Sequence, residues 1–217
     1  MNNLRQYIDL LRKECQIVEI NAPVSSDQEL AEIHRRVVAS GGPALLFNNV
    51  EDADFPCATN LFGTPQRVER AFGQRPEQFI KQLVQIAQDL PTLSPGKIWD
   101  HRNIVPEGLR VGMKTVRSGP VTEAVQREPN LMRIPMLKTW PEDGGHFVTL
   151  PLVYTHHPDT GHHNLGMYRI QRHDARTVGV HWQIQKGGGF HYHLAEQHDQ
   201  ALPMTLFVGG PPALMLS

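Results

Sequence analysis

Two cysteines, Cys15 and Cys57, are all that the 217 residues contain. They are too few for a disulfide framework and lack the paired spacing of a zinc ribbon. Long apolar runs are missing as well: nothing reaches the roughly 18 consecutive apolar residues of a membrane helix. The opening Met1-Asn2-Asn3-Leu4-Arg5-Gln6 has no apolar core of the signal-peptide kind. The cytoplasm is the expected compartment, with the protein either free there or peripheral to a membrane. A formal net charge of −1 leaves no clustered basic surface, so no nucleic-acid partner is expected. With 40% hydrophobic and 20% charged residues, the chain can bury a core in the manner of an ordinary globular protein. Its length suits one large domain or two small ones.

Along the chain, Leu4, Ile8 and Leu11 recur at helical spacing, which predicts a helix over 4–14. Ile17, Val18 and Ile20 suggest a short strand, and Ser26 with Glu29 forms a capping-box pattern for a second helix through Val38. Gly41-Gly42-Pro43 stops that helix before a buried strand, Ala44-Leu45-Leu46-Phe47. A further helix is expected over 76–90, with Pro76 in its first turn and Pro91 beyond its end. Helices alternating with short strands make residues 1–105 an α/β domain. Beyond that point strand-like runs at 147–155, 164–171, 177–184 and 203–208 are separated by turn clusters, which predicts an antiparallel sheet or barrel over 106–217 with one helix near 190–199. In the run 177–184, Val178, Val180, Trp182 and Ile184 share the expected core face. Thr177, Gly179, His181 and Gln183 share the other, where Gly179 leaves room for a close approach. Such a polar face is more often plain solvent-facing surface than a ligand platform.

What is abundant is histidine: ten of the 12 fall between His146 and His198. Imidazole titrates near neutrality and is the commonest metal ligand, so chemistry is expected in this half. The run Lys186-Gly187-Gly188-Gly189-Phe190-His191 offers glycines whose N–H groups can converge on a phosphate, beside a lysine. It matches neither a Walker loop nor a dinucleotide fingerprint, and alone it reads as a flexible turn. Arg169, in a strand-like run, carries a fork suited to a carboxylate or phosphate, or to an acidic neighbour on the surface. The doublets His156-His157 and His162-His163 bracket a turn, but adjacent strand residues point to opposite faces, so a hydrated turn is the better reading than a zinc site. Glu142 or Asp143 as a general acid would need a raised pKa, and nothing local indicates burial.

Six motifs in order resemble the UbiD decarboxylase family, with similarity from about Leu4 to the last residue. They are Gly41-Gly42-Pro43-Ala44-Leu45-Leu46-Phe47, Asn60-Leu61-Phe62-Gly63-Thr64-Pro65, Ile134-Pro135 with Trp140-Pro141-Glu142-Asp143, Asn164-Leu165-Gly166-Met167-Tyr168-Arg169, His181-Trp182-Gln183, and Lys186-Gly187-Gly188. The resemblance implies an α+β fold: an N-terminal α/β domain followed by part of a split β-barrel that binds prenylated flavin mononucleotide (prenylated FMN). It implies non-oxidative removal of CO2 from aromatic or α,β-unsaturated carboxylic acids, such as the polyprenyl-hydroxybenzoate of ubiquinone biosynthesis. The cofactor comes from a flavin prenyltransferase and supplies the electron sink. By this resemblance Met167, Tyr168, Arg169, His181, Trp182, Gln183, Lys186 and Gly187 line the cofactor, and Arg169 also faces the substrate carboxylate. Asn164 is a ligand to a divalent metal, usually Mn2+ and with K+ as a further cation, and His191 is the candidate for a second ligand. In a regular strand Asn164 and Arg169 face opposite sides, so the segment must bulge, twist or contain a strand end for both to serve one site.

Family members are usually more than twice this long. A glutamate metal ligand, the acid that protonates the product and a C-terminal domain that commonly forms homo-oligomers lie in relatives beyond the position of Ser217. The 217 residues alone are therefore expected to be catalytically inactive. At Cys15 relatives often carry a turn glycine. Two other readings are a flavin-binding module without chemistry, which needs no carboxylate-facing Arg169, and a histidine-rich metal-binding protein using His156 to His163.

Overall fold

The computed structural model describes residues 3–73, 81, 84 and 117–216. The helix expected over 76–90 lies outside the described residues except at positions 81 and 84, as does the expected domain boundary near 105. The chain forms two compact units, Met1–Ala71 with Pro129–Ser217, and Phe72–Glu128. The first carries all the elements discussed below.

Helix α1 (Leu4–Lys13) starts where the Asn3 side chain accepts the Gln6 N–H at 2.9 Å, satisfying one of the free amides of its first turn. It ends at Cys15, whose φ of 54° is the left-handed conformation that a glycine would adopt without cost. Strand β1 (Ile17–Ile20) then pairs in parallel with β2 (Ala44–Phe47), which pairs antiparallel with β3 (Cys57–Thr59). All four residues of β2 are buried because helices cover the sheet. One cluster joins Tyr7 and Leu11 of α1 to Ala44, Leu61 and Ala71, and another joins Leu30 of the second helix to Val24, Leu45, Phe47 and Val50.

Helix α2 (Glu29–Ala39) begins differently from the expected capping box. Ser26 does not cap it; the Glu29 carboxylate reaches back to the Ser25 N–H at 2.8 Å, and Gln28 turns the chain with a φ of 66°. No capping box forms: Glu29 is the first residue of the helix, Gln28 stands at the cap without a side-chain capping bond, and the Ser25 hydroxyl accepts the Asp27 N–H at 3.2 Å. Its C-terminus follows the expectation: Gly41 (φ 66°) bonds Val38 O at 3.0 Å and Gly42 bonds Val37 O at 2.8 Å, a Schellman stop. Helix α3 (Pro65–Phe72) closes this half.

The second half is built from broken strands. The expected run 147–155 is two strands, β4 (Phe147–Val148) and β5 (Leu152–His156), interrupted by Pro151, which has no N–H to give a ladder. The run 164–171 is likewise β6 (His163–Met167) and β7 (Ile170–Arg172), and 177–184 shortens to β8 (Val178–Val180). These strands, with β9 (Met204–Phe207), form two antiparallel sheets of order β4-β7-β8 and β6-β5-β9. The chain therefore crosses from one sheet to the other at Tyr168-Arg169. Val153, Tyr168 and Ile170 are the buried centre between them, packed by Val178, Val180 and Trp182. The alternation of β8 stops there: Ile184 is 96% exposed, because the chain turns away after Gln183. Helix α4 (Gly187–Gln197) packs on β5 and β6, and α5 (Pro212–Leu216) follows β9. The fold is α+β, and among the described residues the strands do not close into a barrel. No helix among the described residues is long and apolar enough to cross a membrane.

Tyr7 ties α1 to the sheet. Its hydroxyl reaches the carbonyl oxygens of Leu61 (3.0 Å) and Arg67 (2.7 Å), and burial pushes its pKa up to about 12. Tyr7→Phe leaves both buried acceptors without this donor and is expected to cost about 1–2 kcal/mol. A urea denaturation series that shows no lowered midpoint would contradict this role.

Candidate functional site

The crossover at Tyr168-Arg169 and the start of α4 build the site together. Asn164 on β6 sits directly opposite Thr155 on β5, so both side chains share a face of the sheet, the one α4 covers. The fully buried Thr155 hydroxyl lies 3.0 Å from Nδ1 of His191 on α4. The Tyr168 ring is buried, and its hydroxyl accepts the N–H of Gly188 at 2.8 Å. The Asn164 amide nitrogen also points at that hydroxyl, at 3.4 Å. Lys186, the N-cap residue of α4, extends its Nζ to the Met167 carbonyl at 3.4 Å and over the Tyr168 ring at 5.6 Å. Trp182 packs edge-on against Tyr168 at 4.9 Å and stacks on Tyr192 at 5.9 Å.

The glycine run does not do what its composition suggests. Gly187, Gly188 and Gly189 form the first turn of α4, and none of them adopts a positive φ. Steric room explains them. A Cβ on Gly187 would meet Asn164 Oδ1 at 2.4 Å, one on Gly188 the Tyr168 hydroxyl at 2.6 Å, and one on Gly189 the Gln183 carbonyl at 2.4 Å. Three consecutive glycines let the helix start sit directly on Asn164, Tyr168 and Gln183. Helix geometry leaves the first-turn amides without intrahelical partners; Tyr168 takes that of Gly188, and those of Gly187 and Gly189 remain donors at this end. The space expected beside Gly179 is filled: a Cβ there would meet His173 Nε2 at 2.6 Å.

Arg169 faces another way from Tyr168, as successive residues must. It is not in a strand; it lies in the gap between β6 and β7, a strand end of the kind that the opposite parity of Asn164 and Arg169 calls for if both serve one site. Its Nη2 donates to both carboxylate oxygens of Asp143, each at 3.1 Å, and the guanidinium lies over the Phe147 ring at 3.7 Å. Oδ2 of Asp143 also accepts the Thr139 and Trp140 N–H groups, both at 3.1 Å. Burial alone would raise the Asp143 pKa; the bonds from Thr139, Arg169 and Trp140 outweigh it and hold the carboxyl below its ordinary value. Asp143 is thus an ionised acceptor, not a general acid. His181 and Gln183 are exposed; the His181 N–H donates to the Arg169 carbonyl at 3.1 Å, and the Gln183 carbonyl accepts the Lys186 N–H at 3.0 Å.

Asn164, Met167, Tyr168, Trp182, Gln183, Lys186 and Gly187 therefore converge on the α4 start, with His191 one turn further along it, while Arg169 lies on the crossover and His181, just after β8, bonds its carbonyl. Residues that the sequence left unread are Thr155, which positions His191, and Phe147, which covers Arg169; the sequence marks Asp143 only as a general-acid candidate, whereas it bonds Arg169. The position of Pro151, fixing where β5 begins, was the one available signal for the first. As for a cation, the Asn164 carbonyl is a suitable hard oxygen donor. Among the described residues, no group of three or more His, Cys, Asp or Glu side chains is placed to hold a metal. The histidine doublets form no such cluster: His156 Nδ1 meets Gly161 O, and His157 Nδ1 accepts the Asp159 and Thr160 N–H groups.

Comparison with known proteins agrees with this architecture. Residues 8–87 match the 3-octaprenyl-4-hydroxybenzoate carboxy-lyase N-terminal domain, and residues 114–217 match the Rift-related domain of the same UbiD enzymes. An uncharacterized protein of Chlamydia caviae is 48% identical over 217 residues, covering 100% of this chain and 37% of that protein. A 4-hydroxybenzoate decarboxylase subunit from Chlamydia pneumoniae is 46% identical, with the same coverage of 100% and 37%. The chain thus spans little more than a third of these relatives. Among solved structures, vanillic acid decarboxylase from Sedimentibacter hydroxybenzoicus in its closed form superposes with a TM-score of 0.79 at 21% identity, over 99% of this chain and 44% of that one. An evolved dimeric form of the UbiD-class enzyme HmfF from Pelotomaculum thermopropionicum, in complex with prenylated FMN, gives 0.77 at 19% identity, over 98% and 45%. These likenesses establish the shared fold.

Two outcomes follow from the packing. Gly188→Ala places a methyl against Tyr168 and Trp182 and is expected to destabilise by about 2 kcal/mol, although alanine ordinarily favours a helix by about 1 kcal/mol. A raised urea midpoint for this variant would contradict the close seating of α4. His34, His146 and His191 are each held below the ordinary 6.5, by burial first in every case. Each binds a proton more weakly when folded, so stability is complete above pH 6.5 and falls as the pH drops through the folded values. Urea midpoints at about pH 7.5 and about pH 5.5 should differ, the lower pH giving the lower midpoint; equal midpoints would contradict the burial of these rings.

Proposed function

This chain belongs to the UbiD family, and on that premise we propose that it forms the flavin-phosphate and carboxylate-binding portion of a decarboxylase of aromatic or α,β-unsaturated carboxylic acids. The observation that carries the reading is the convergence of Asn164, Lys186 and the glycine-started α4 on one face of β6, with Arg169 delivered beside them by the crossover. The Gly187 and Gly189 amides and the Lys186 ammonium are donors for a phosphate dianion. Met167, Trp182, Gln183, Gly187 and His181 border the same ground, and Tyr168 acts from beneath by fixing the helix start. Asn164 Oδ1 is one ligand for a hard cation such as Mn2+ or K+, and His191, neutral through burial, is a second. Arg169 orients the carboxylate of the substrate through paired N–H···O bonds. Prenylated FMN, when bound, supplies the electron sink that an aryl or alkenyl acid lacks.

The substrates of this class include polyprenyl-hydroxybenzoate in ubiquinone biosynthesis, with a flavin prenyltransferase as the source of cofactor and the cytoplasm as the site of action. Because the chain spans 37% of its curated relatives, turnover is assigned to these residues together with the remaining portion of such a protein, in a homo-oligomer; alone they bind without turning over.

The phosphate reading has a direct comparison available. FMN and riboflavin differ only in the phosphate group, so equilibrium fluorescence quenching should show FMN binding the chain about tenfold more tightly or better, the worth of charge-assisted hydrogen bonds. Lys186→Ala should remove most of that difference. Equal affinities for FMN and riboflavin would rule out a phosphate cradle at α4.

A further inference from the structure

The Arg169–Asp143 pair is asymmetric. Asp143 is the fixed member, 12% exposed at its side chain and bonded by two loop amides, whereas Arg169 is 43% exposed. Only Nη2 of Arg169 is engaged by the carboxylate; Nε and Nη1, which flank Nη2 on the two edges of the fork, make no hydrogen bond among the described residues. Phe147 covers one face of the guanidinium at 3.7 Å. One corner is anchored, one face is covered, and the Nε and Nη1 N–H groups are left as donors.

We propose that Asp143 is a positioning residue which holds the unpartnered Nε and Nη1 donors of Arg169 ready for the substrate carboxylate and, by partly neutralising the guanidinium, keeps its grip on that carboxylate weak. This rests on the reading of Arg169 as the carboxylate-facing group. The chemistry gives the partial neutralisation a purpose. In decarboxylation the bonding pair of the broken C–C bond stays with the carbon skeleton, and CO2 departs without charge. A cation bound at full strength to the carboxylate stabilises the ground state more than the transition state, lowering KM while raising the barrier. A second carboxylate on the far corner of the same guanidinium offsets that ground-state grip without disturbing the geometry.

A purely structural ion pair and this device predict opposite signs. In a structural pair, loss of Asp143 frees Arg169 to disorder, and carboxylate binding weakens. In the present proposal, Asp143→Asn keeps an oxygen for the Thr139 and Trp140 amides, removes the charge, and tightens carboxylate binding. The probe is benzoate, titrated into the 217-residue chain with its arginine Nε–H groups observed by 15N NMR. Asp143→Asn and Asp143→Ser are both expected to bind benzoate about three- to fivefold more tightly than the parent, the scale of a partly exposed ion pair. Unchanged or weaker binding in whichever neutral variants fold overturns the proposal, and a failure of both to fold does so too, by showing that the pair is structural. Arg169→Ala separates the role of Asp143 from that of the arginine: it should abolish saturable benzoate binding. If it does not, or if the parent binds no benzoate, the carboxylate reading of Arg169 itself is wrong and this inference falls with it. In the turnover-competent protein Asp143→Asn should lower KM and kcat together, and a raised KM would contradict the proposal.

Discussion

The hydrogen bond from the Gly188 amide to the Tyr168 hydroxyl, 2.8 Å long, joins the two features on which the rest of the site depends. One is the crossover, where the chain leaves the β6-β5-β9 sheet for the β4-β7-β8 sheet; the other is the start of α4. Because the Tyr168 ring is buried with Val153 and Ile170, its hydroxyl is a fixed point, and the helix must come to it. Only residues without a side chain allow that approach, which is why three glycines stand in sequence there. A buried polar group left without a partner would cost about 1–3 kcal/mol, so this one contact aligns a helix, a strand end and Asn164 at the same time.

The same crossover separates two kinds of electrostatic environment. On the Tyr168 side lie backbone donors at a helix N-terminus and the Lys186 ammonium, an arrangement for a phosphate. On the Arg169 side a guanidinium is already partnered by Asp143 and backed by Phe147, an arrangement for an anion held more lightly. Successive residues of an extended chain point to opposite sides, so adjacent Tyr168 and Arg169 serve the two environments from one short segment. Under the proposed function, a cofactor phosphate and a substrate carboxylate, both anions, would meet separate donors.

Much of the first half is legible in the sequence because its signals are local. The apolar spacing of α1, the Gly41-Gly42 stop and the all-apolar β2 each depend on a few neighbouring residues, and the structure places them as expected. The α2 start differs from expectation because Gln28, with a φ of 66°, takes the cap position, a backbone turn that the spacing of Ser26 and Glu29 does not reveal. In the second half the strands are legible but their ends are not. Pro151 interrupts one run, and the other is divided because its halves join different sheets, a fact of topology and not of composition. The glycine run is conspicuous, yet its cause is hidden: its contacts, Asn164, Tyr168 and Gln183, lie elsewhere in the chain, and flexibility is the default explanation when partners are unknown. Asp143 stands out as an acid beside glycines, but spacing does not reveal its partner Arg169. The resemblance of motifs in order therefore outruns local reasoning on function, while local reasoning supplies the elements.

If the amides opening α4, with Lys186 and Asn164, receive the phosphate of a flavin nucleotide, the contact is visible atom by atom. The most direct measurement is backbone and side-chain amide NMR of the 15N-labelled chain during FMN titration. The account predicts that the largest shifts fall on Gly187, Gly189 and the Asn164 side-chain amide. Saturable shifts confined to surfaces away from Asn164 and the first turn of α4, or none at any FMN concentration, would contradict it.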